Sequence, residues 1–308
     1  MGSSVAIDAG QSGIRVRVFG GNGGVYELDT SSHHGIRTDV HLGNELEAVA
    51  TSIIGQIGQV EEIAVGSTGF TGNENLLGLE ALRDLGVQKV LIAHDSITSY
   101  LGALGEQQGA VVAAGTGVVT LAVGADAVVR VDGWGHIMGD AGSGYWFGRA
   151  ALDAAMRAYD GRGPDTVLLD RLRDEFADVE EAYIALQADQ ARVRRVASFS
   201  RWVTEAESDG DPVAADICKR GAVELALSAA TALDRVNISL DAESLVCTLG
   251  GIFRAPTVRM NFETEMRRRR PHSRLVLDVG DGLDGASMLL DIASSSPLIS
   301  HVKVIFFG

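Results

Sequence analysis

The sequence predicts an α/β protein whose two lobes face each other across a cleft. At the N-terminus, residues 5–7, Ile14–Phe19 and Val25–Leu28 read as three strands separated by turns. Strand-like and helical segments alternate after this meander. A second hairpin near residues 110–131 begins the same layout again, and no long Pro- or Ser-rich linker separates the halves. A duplicated order of this kind favours two α/β lobes with a ligand site between them.

Each half continues with further strands and helices. The first half has helical periodicity over Leu42–Ile57. Its later strands are predicted at residues 62–65 and 89–93, and its later helices at 75–85 and 97–104. After the hairpin, the second half is predicted to hold helices at 149–159, 166–176, 180–187 and 212–236, a strand at 244–248, a helix from about Pro256, a strand at 275–277 and a closing helix at 285–292. The consecutive helices predict a helical insertion in the second lobe.

The composition argues against several kinds of partner. The 308 residues carry a formal net charge of −15, whereas a duplex-binding protein presents a basic face, so we expect no nucleic-acid partner. No apolar run reaches the ~20 residues that span a bilayer, so we expect no membrane insertion. Cys218 and Cys247 form no CxxC pair, which argues against a zinc or iron–sulfur site. Few cysteines and no signal-peptide pattern predict a cytoplasmic protein.

The first candidate site is the turn DAGQSG at residues 8–13. It joins two strands, which excludes the Walker and Rossmann patterns because those need a helix after the glycines. Its backbone N–H groups and the Ser12 hydroxyl could line the oxygens of an anion. Asp8 ends the preceding strand, where a carboxylate could hold hydrated Mg²⁺ beside phosphates. The alternative is an ordinary tight hairpin with a polar cap.

Two further glycine-rich turns lie at residues 115–117 and 250–251. The first, GTG, connects two apolar strands and could hold phosphate oxygens as the N-terminal turn does. The second, GG, lies between a strand and a helix, where the backbone could approach a flat ring such as adenine. The alternatives are an ordinary hairpin and a helix–strand packing requirement.

Asp95 is the candidate general base. It follows an apolar strand and precedes a helix, so its carboxylate would open into a cleft at the carboxyl end of the sheet. There it could accept the proton of an attacking hydroxyl. The alternative is a helix N-cap, which is a frequent role for aspartate. One carboxylate cannot easily serve both roles.

The order of these signals resembles the actin-like ATPase superfold of sugar kinases, Hsp70 and actin. Within that superfold, the chain resembles the N-acetylglucosamine kinase and BadF/BadG/BcrA/BcrD-type ATPase family. The most specific evidence is GWGHIMGDAGSGYWFG, residues 133–148, which is similar to the family signature GGWGHxxGDEGSxYWxG. The resemblance covers essentially the whole chain, although residues 160–210 match only loosely.

The resemblance implies ATP and Mg²⁺ as cofactors and gives each motif a role. It makes Asp8 the residue that holds Mg²⁺ through water and Asp95 the catalytic base. The nucleotide would be bound by Asp8, Gly10, Gln11, Ser12, Gly115, Thr116, Gly117, Gly250 and Gly251. The sugar would be bound by Thr68, Gly69, Asp95, Thr116, Gly133, Trp134 and Asp140. A Trp ring can stack on a pyranose face and a carboxylate can accept two hydroxyl hydrogen bonds, although Trp134 could also be a core aromatic.

The resemblance also implies an architecture and an activity. It implies two ribonuclease-H-like lobes, one of residues 1–107 completed by about 290–308, and one of residues 108–289 with the helical insertion. The activity would be the ATP-dependent phosphorylation of an amino sugar, first of all N-acetylglucosamine to its 6-phosphate. The family further implies a cytoplasmic homodimer whose partners are ATP and the small amino sugar.

Three departures from the family pattern leave the substrate open. Val118, Val119 and Ala141 stand where the family is usually polar or acidic, which weakens the transfer of N-acetylglucosamine as the substrate because buried polar groups set selectivity. Glucosamine or another hexose is one alternative. A BadF-type ATPase that activates a partner enzyme and a sugar-responsive regulator without catalysis are two others.

The basic run at residues 267–270 is interpreted as a solvated helix end, or else as a contact with nucleotide phosphates.

Overall fold

The computed structural model describes residues 2–10, 13–30, 35–36, 40–72, 77–277 and 279–307. Its strands are β1 Ser3–Ala9, β2 Ile14–Phe19, β3 Val25–Leu28, β4 Val60–Ser67, β5 Lys89–His94, β6 Gly109–Ala114, β7 Val118–Val123, β8 Val128–Val131, β9 Ser244–Leu249, β10 Ser273–Val276 and β11 Val302–Phe306. Its α-helices are α1 Leu42–Ile57, α2 Ala81–Asp84, α3 Asp95–Leu104, α4 Gly144–Tyr159, α5 Leu168–Glu175, α6 Ala182–Ala188, α7 Arg192–Ser198, α8 Ser200–Ser208, α9 Pro212–Arg235, α10 Pro256–Arg269 and α11 Gly282–Leu289.

The chain divides into two compact units. The first contains Met1–Gln107 and Asp278–Gly308, and the second contains Gln108–Leu277. The chain thus returns to the first unit earlier than the expected position near residue 290. The reason is α11, which packs so closely on α3 that a side chain at Gly285 would overlap the carbonyl of Thr98. The predicted α/β class is confirmed.

A six-stranded sheet forms the centre of the first unit. Its strand order is β11-β5-β4-β1-β2-β3. The predicted N-terminal meander is confirmed, since β1, β2 and β3 pair antiparallel in sequence order. β4 and β5 then add in parallel on the other side of β1. Strand β11, which the sequence analysis did not predict, pairs antiparallel with the outer edge of β5.

The second unit repeats this topology. Its sheet has the order β10-β9-β6-β7-β8, in which β6, β7 and β8 form an antiparallel meander and β9 and β10 add in parallel. Each unit therefore begins with a glycine-rich hairpin between its first two strands. The duplication predicted from the order of the elements is confirmed at the level of strand topology.

The long helix α9 forms the core of the second unit's helical layer. Small residues along it, including Ala222 and Ala229, are fully buried, which lets the helix lie close to the sheet. Asp211 begins the helix: its Oδ1 accepts hydrogen bonds from the N–H groups of Val213 and Ala214 at 2.8 and 2.9 Å. Helices α7 and α8, which the sequence analysis did not predict, lie in the sequence between α6 and α9. No helix among the described residues is both long and apolar enough to cross a membrane.

Candidate active site

In the first unit, three parallel strands end in one row. The register pairs Ala9 with Ser67 and Ser67 with His94, so the carboxyl ends of β1, β4 and β5 coincide. The residues that follow therefore meet at one edge of the sheet, as carboxyl ends of parallel strands do. Thr68 is fixed there because its N–H donates to the Ala9 carbonyl at 3.0 Å. The edge thus brings together Asp8, Gly10, Thr68, Gly69 and Asp95.

Asp8 at this edge is paired with an arginine. Arg15 donates to Asp8 Oδ2 from Nη2 and Nε at 2.5 and 3.2 Å, and it also donates to Asp281, the N-cap of α11. Burial raises the pKa of Asp8, and the charges of Asp281 and Asp95 add to that rise while Arg15 opposes it. Burial alone would also raise the pKa of Asp281, but hydrogen bonds from Arg15 and from backbone N–H groups lower it.

Asp95 does not cap its own helix. The cap of α3 is His94, whose Nδ1 accepts from the N–H of Ser96 at 3.1 Å. Asp95 is the first residue of the helix, and its Oδ1 lies 2.9 Å from the same Nδ1. Nδ1 also lies 2.8 Å from Ser96 Oγ, and the tautomer of the ring decides whether it accepts from Ser96 or donates to the Asp95 carboxylate. The N-cap alternative is wrong, and the carboxylate, about one third exposed, can accept a proton.

The rest of the first turn is only partly described. Gly10 donates its N–H to the Gly13 carbonyl at 3.0 Å, and its own carbonyl accepts from Ile36 at 2.8 Å. The other two predicted phosphate ligands of this turn, Gln11 and Ser12, lie outside the described residues. Gly69 has a φ of 77°, a left-handed conformation that suits glycine.

In the second unit, the GTG turn is bound to the start of α4. The Gly115 carbonyl accepts from the N–H of Gly144 at 2.7 Å, and the Thr116 carbonyl accepts from the N–H of Tyr145 at 3.0 Å. Across the turn, the Gly115 N–H donates to the Gly117 carbonyl at 2.9 Å. The second glycine-rich turn and the signature segment at residues 133–148 are therefore one connected structure.

Gly250 brings the third glycine-rich turn to the same place. β9 runs parallel to β6, with Ala113 opposite Leu249, so the turns that follow the two strands are neighbours. Gly250 has a φ of 98°, and a Cβ there would overlap the carbonyl of Ala114. Gly251 has open space around its Cα. The first glycine of the pair thus serves close backbone packing, and the second leaves room for a ligand.

The signature segment places Asp140 beside the GTG turn. Asp140 is 8% exposed, and its Oδ2 lies 2.7 Å from the position of a Cβ at Gly117. Its Oδ1 accepts from the N–H of Gly135 at 3.1 Å. Burial raises the pKa of Asp140 despite this hydrogen bond. Trp134, in the loop that starts with Gly133, is 53% exposed, so it is not a core aromatic.

The second unit contains a cavity of about 860 Å³ at the glycine-rich turns. Gly115, Thr116 and Gly251 line it on one side. Helices α5, α7 and α8 and the turn after β9 supply the other walls. They carry the basic residues Arg171, Arg194, Arg201 and Arg254, the acidic residues Glu205, Glu207 and Asp209, and the hydroxyl residues Ser198 and Thr204. Its volume falls within the ~300–1,000 Å³ of ordinary small-molecule sites.

The arginines of this cavity were missed by the sequence analysis. Arg194, Arg201 and Arg254 make no ion pair and no side-chain hydrogen bond with any residue that the structure describes, although acidic residues outnumber basic ones in the chain. Unpaired guanidinium groups around a cavity favour an anionic ligand. No local pattern marks Arg194 and Arg201, because they lie on two separate short helices, α7 and α8.

The described residues contain no group of three or more His, Cys, Asp or Glu side chains suited to hold a metal ion. Asp8 supplies one carboxylate at the sheet edge, with 19% of its side chain exposed. One carboxylate fits Mg²⁺, which keeps most of its water and binds through one or two carboxylates and the substrate phosphates.

The basic run at residues 267–270 is occupied by internal ion pairs. Arg268 and Arg269 bind Glu265 at 2.6 and 2.7 Å. Arg270 is buried and donates to Asp234 at 3.1 Å. The run is therefore the end of helix α10, and its alternative role as a phosphate contact has no support.

Comparisons with known proteins identify relatives of this chain. The sequence model of the BadF/BadG/BcrA/BcrD ATPase family matches residues 7–287. A Clostridium acetobutylicum protein named N-acetylmuramic acid/N-acetylglucosamine kinase is 30% identical over 208 residues, which are 65% of this chain and 68% of that protein. The N-acetyl-D-glucosamine kinase of Dictyostelium discoideum is 38% identical over 88 residues, 27% of this chain and 28% of that protein.

Solved structures share the fold. A Chromobacterium violaceum protein assigned as an N-acetylglucosamine kinase superposes with a TM-score of 0.72 at 23% identity, covering 94% of this chain and 99% of that one. A ROK family glucokinase from Streptomyces griseus gives 0.53 at 17% identity, again over 94% and 99%. These likenesses confirm the fold that the sequence resemblance implied. Since the family match spans nearly the whole chain, the protein belongs to the BadF/BadG/BcrA/BcrD ATPase family and is an ATP-dependent enzyme.

Proposed function

We propose that this enzyme is a sugar kinase that transfers the γ-phosphoryl group of ATP to an amino sugar. The first candidate reaction is the conversion of N-acetylglucosamine to its 6-phosphate, with Asp95 as general base. The observation that carries the proposal is the row of strand ends that holds Asp8, Thr68 and Asp95 at one sheet edge. A metal-binding carboxylate and a second carboxylate free to accept a proton are what phosphoryl transfer to a hydroxyl needs.

Asp95 would take the proton of the sugar hydroxyl as that oxygen attacks the γ-phosphorus. His94 supports this role because it caps α3 in place of Asp95, and its Nδ1 lies 2.9 Å from Asp95 Oδ1, where the ring can orient the carboxylate. Asp8 would hold Mg²⁺ through water, and the bound ion would neutralise charge on the phosphate oxygens. Backbone N–H groups of the glycine-rich turns would bind those oxygens directly.

The nucleotide would lie in the cavity of the second unit. Gly115, Thr116 and Gly117 would contact its phosphates, and Gly250 and Gly251 would let the backbone approach adenine. Arg194 and Arg201 support this assignment because their charges have no partner among the described side chains and face the same cavity.

The sugar would be recognised by Thr68 and Gly69 in the first unit and by Gly133, Trp134 and Asp140 in the second. A ring as exposed as that of Trp134 can stack on a pyranose face. The buried Asp140 can accept two hydroxyl hydrogen bonds, which compensates its loss of water. The names of the Clostridium and Dictyostelium relatives favour an N-acetylated amino sugar.

Glucosamine or another hexose remains the main alternative substrate, because Val118, Val119 and Ala141 offer no side-chain hydrogen bond to a substituent. The partner-activating ATPase is disfavoured by the cysteines. Both are buried, Cys218 in helix α9 and Cys247 in strand β9, so neither is exposed to hold a cluster between subunits.

A coupled assay of ADP release tests the proposed function. The purified enzyme would be given ATP, Mg²⁺ and one of four sugars: N-acetylglucosamine, glucosamine, N-acetylmannosamine or glucose. We expect ADP release to depend on N-acetylglucosamine, with the phosphorylated sugar identified by mass spectrometry. ADP release that no sugar stimulates would end the kinase proposal and favour the partner-activating ATPase.

Two finer parts of the proposal concern the protein in the cell. We propose a cytoplasmic homodimer. Both cysteines are free and buried, which is compatible with a reducing compartment. Light scattering after size-exclusion chromatography should give about twice the mass of one chain, and a monomer across the concentration range would contradict the dimer.

A further inference from the structure

A carboxylate outside the predicted site closes the loop that carries Trp134. Asp132 Oδ1 accepts from the N–H groups of Gly133 and Asp140 at 2.8 and 2.7 Å. Its Oδ2 accepts from the N–H of Ala141 at 3.0 Å. One side chain thus binds both ends of the loop at residues 133–139, and both of its oxygens accept hydrogen bonds from the backbone.

The backbone at both ends of this loop is unusual. Among the described residues other than glycine, positive φ occurs at Asp132, Asp140 and Asn237, with values of 58°, 59° and 60°. Two of the three are Asp132 itself and Asp140, which it binds. Left-handed conformations of side-chain-bearing residues persist where surrounding contacts fix them, and they cluster at functional sites. Gly139 makes room for the arrangement, since a Cβ there would overlap Asp132 Oδ1.

Asp132 uses both oxygens for these backbone bonds, and the bonds fix the position of Asp140, whose carboxylate is a proposed sugar ligand. Its bond to the Asp140 N–H holds that residue in the left-handed conformation, which directs the buried Asp140 carboxylate toward Gly117 and Gly135. The same bonds hold the loop in which Trp134 lies under the guanidinium of Arg130, 4.2 Å from the ring centroid. Without Asp132, the N–H groups of Gly133, Asp140 and Ala141 would lose their common acceptor.

We propose that Asp132 is a positioning residue for sugar recognition: it holds Asp140 and the loop with Trp134 in their binding geometry before the sugar arrives. This inference rests on the proposed sugar-kinase function and adds a residue to it. Preorganisation of this kind lowers the ordering cost of binding. Its loss should therefore weaken the binding of the sugar more than that of the nucleotide.

The test compares Asp132→Gly, Asp132→Asn and the control Asp126→Asn, an exposed carboxylate of the same unit. Glycine keeps the left-handed backbone and removes only the carboxylate. Asparagine keeps one acceptor oxygen for Gly133 and Asp140 but turns an NH₂ group toward the Ala141 N–H. We expect KM for the sugar to rise by ~10-fold or more in Asp132→Gly and by less in Asp132→Asn. KM for ATP and the control should stay near the wild-type values.

Hydrogen exchange of the loop amides gives a second readout without turnover. The N–H groups of Asp140 and Ala141 should exchange slowly in the wild type and faster in Asp132→Gly, while the strands of the unit keep their protection. Wild-type turnover with an unchanged sugar KM in both Asp132 variants would overturn the positioning role alone. Equal rises in both KM values would also overturn it, because they would indicate general loosening. A wild type that phosphorylates no sugar would overturn the proposed function itself.

Discussion

Arg15 binds the carboxylate of Asp8, with two guanidinium nitrogens 2.5 and 3.2 Å from the same oxygen. This places a protein cation where the proposed function puts hydrated Mg²⁺. A guanidinium and a metal ion compete for one carboxylate, so occupancy of the metal site should depend on Arg15. The pair also joins the first glycine-rich turn to the cap of helix α11 through Asp281.

Replacing Arg15 with Gln should therefore lower, by several-fold, the Mg²⁺ concentration that gives half-maximal ATP turnover. The measurement is a Mg²⁺ titration of ADP release at saturating ATP. The control is Arg17→Gln, on the same strand, because Arg17 pairs with Glu27 and Asp284 and does not contact Asp8. A higher Mg²⁺ requirement in the Arg15 variant would show that the arginine assists the metal site instead.

Replacing Asp95 with Asn should reduce kcat at least ~100-fold, because general-base catalysis typically contributes that much. The binding of ATP and sugar, measured by calorimetry, should change little. Asp84→Asn, an exposed carboxylate of the same unit, provides the control. Turnover of the Asp95 variant near the wild-type rate would remove Asp95 from its assigned role.

Of the two glycines after β9, substitution should destabilise the fold at Gly250 and have almost no effect at Gly251. Gly250→Ala puts a Cβ into the Ala114 carbonyl and a side chain on a backbone with φ of 98°, so unfolding free energy should fall by ~3 kcal/mol. Gly251→Ala meets open space and should change it by less than ~0.5 kcal/mol. Chemical denaturation of both variants checks this, and equal effects would contradict the packing role of Gly250.

Removing the charges of Arg194 and Arg201 should weaken nucleotide binding specifically. The double variant to Ala should raise KM for ATP ~10-fold or more, since hydrogen bonds to charged groups are among the stronger ones. KM for the sugar should stay near the wild-type value. Arg192→Ala, an exposed arginine of helix α7 outside the cavity, is the control. If ATP affinity is unchanged, the cavity is not the nucleotide site.

Asp211 should make the unfolding free energy of the enzyme decrease as the pH falls into the acid range. Burial alone would raise its pKa, but hydrogen bonds from Ala214, Thr166, Val167 and Val213 lower it. A lowered pKa stabilises the fold above the unfolded value of ~3.9, and this contribution disappears as pH falls through the folded value. Asp211→Ala should therefore cost ~2 kcal/mol of unfolding free energy at pH 7 and less below pH ~4.

The control for this prediction is Asp216→Ala on the same helix. Asp216 is exposed and makes only an i,i+4 pair with Arg220, so its loss should cost at most ~0.5 kcal/mol at any pH. A difference between the two variants that does not shrink in acid would contradict the role assigned to the Asp211 carboxylate.

The parts of the fold that were predicted correctly depend on patterns among residues that are close together in the sequence. The strands β2 and β3, helix α1 and the glycine-rich turns follow from alternation, helical spacing and turn residues that lie close together in sequence. Strand β11 could not be found this way, because it forms by pairing with β5, some two hundred residues earlier in the chain. Helices α7 and α8 lie in the section where the family resemblance was loose.

The candidate site likewise contains some residues that could be predicted from the sequence and others that could not. Asp8 and Asp95 were recognisable because each follows an apolar strand, and parallel pairing of β1, β4 and β5 then brought them to one edge. Asp132 gave no signal, because its three bonds are to backbone N–H groups that any residue would supply. Arg194 and Arg201 also gave no functional signal, since a surface arginine and an arginine facing a cavity have the same sequence neighbours.

The order of the elements, the positions of the three glycine-rich turns and the family membership could all be inferred from local sequence. The first two depend on backbone conformations that neighbouring residues impose. Tertiary packing was needed to show that His94 caps the helix in place of Asp95, that Arg15 binds Asp8, and that arginines without a described partner line the cavity. Such contacts join residues that are distant along the chain or choose between adjacent side chains, and they depend on register and packing that no local pattern specifies.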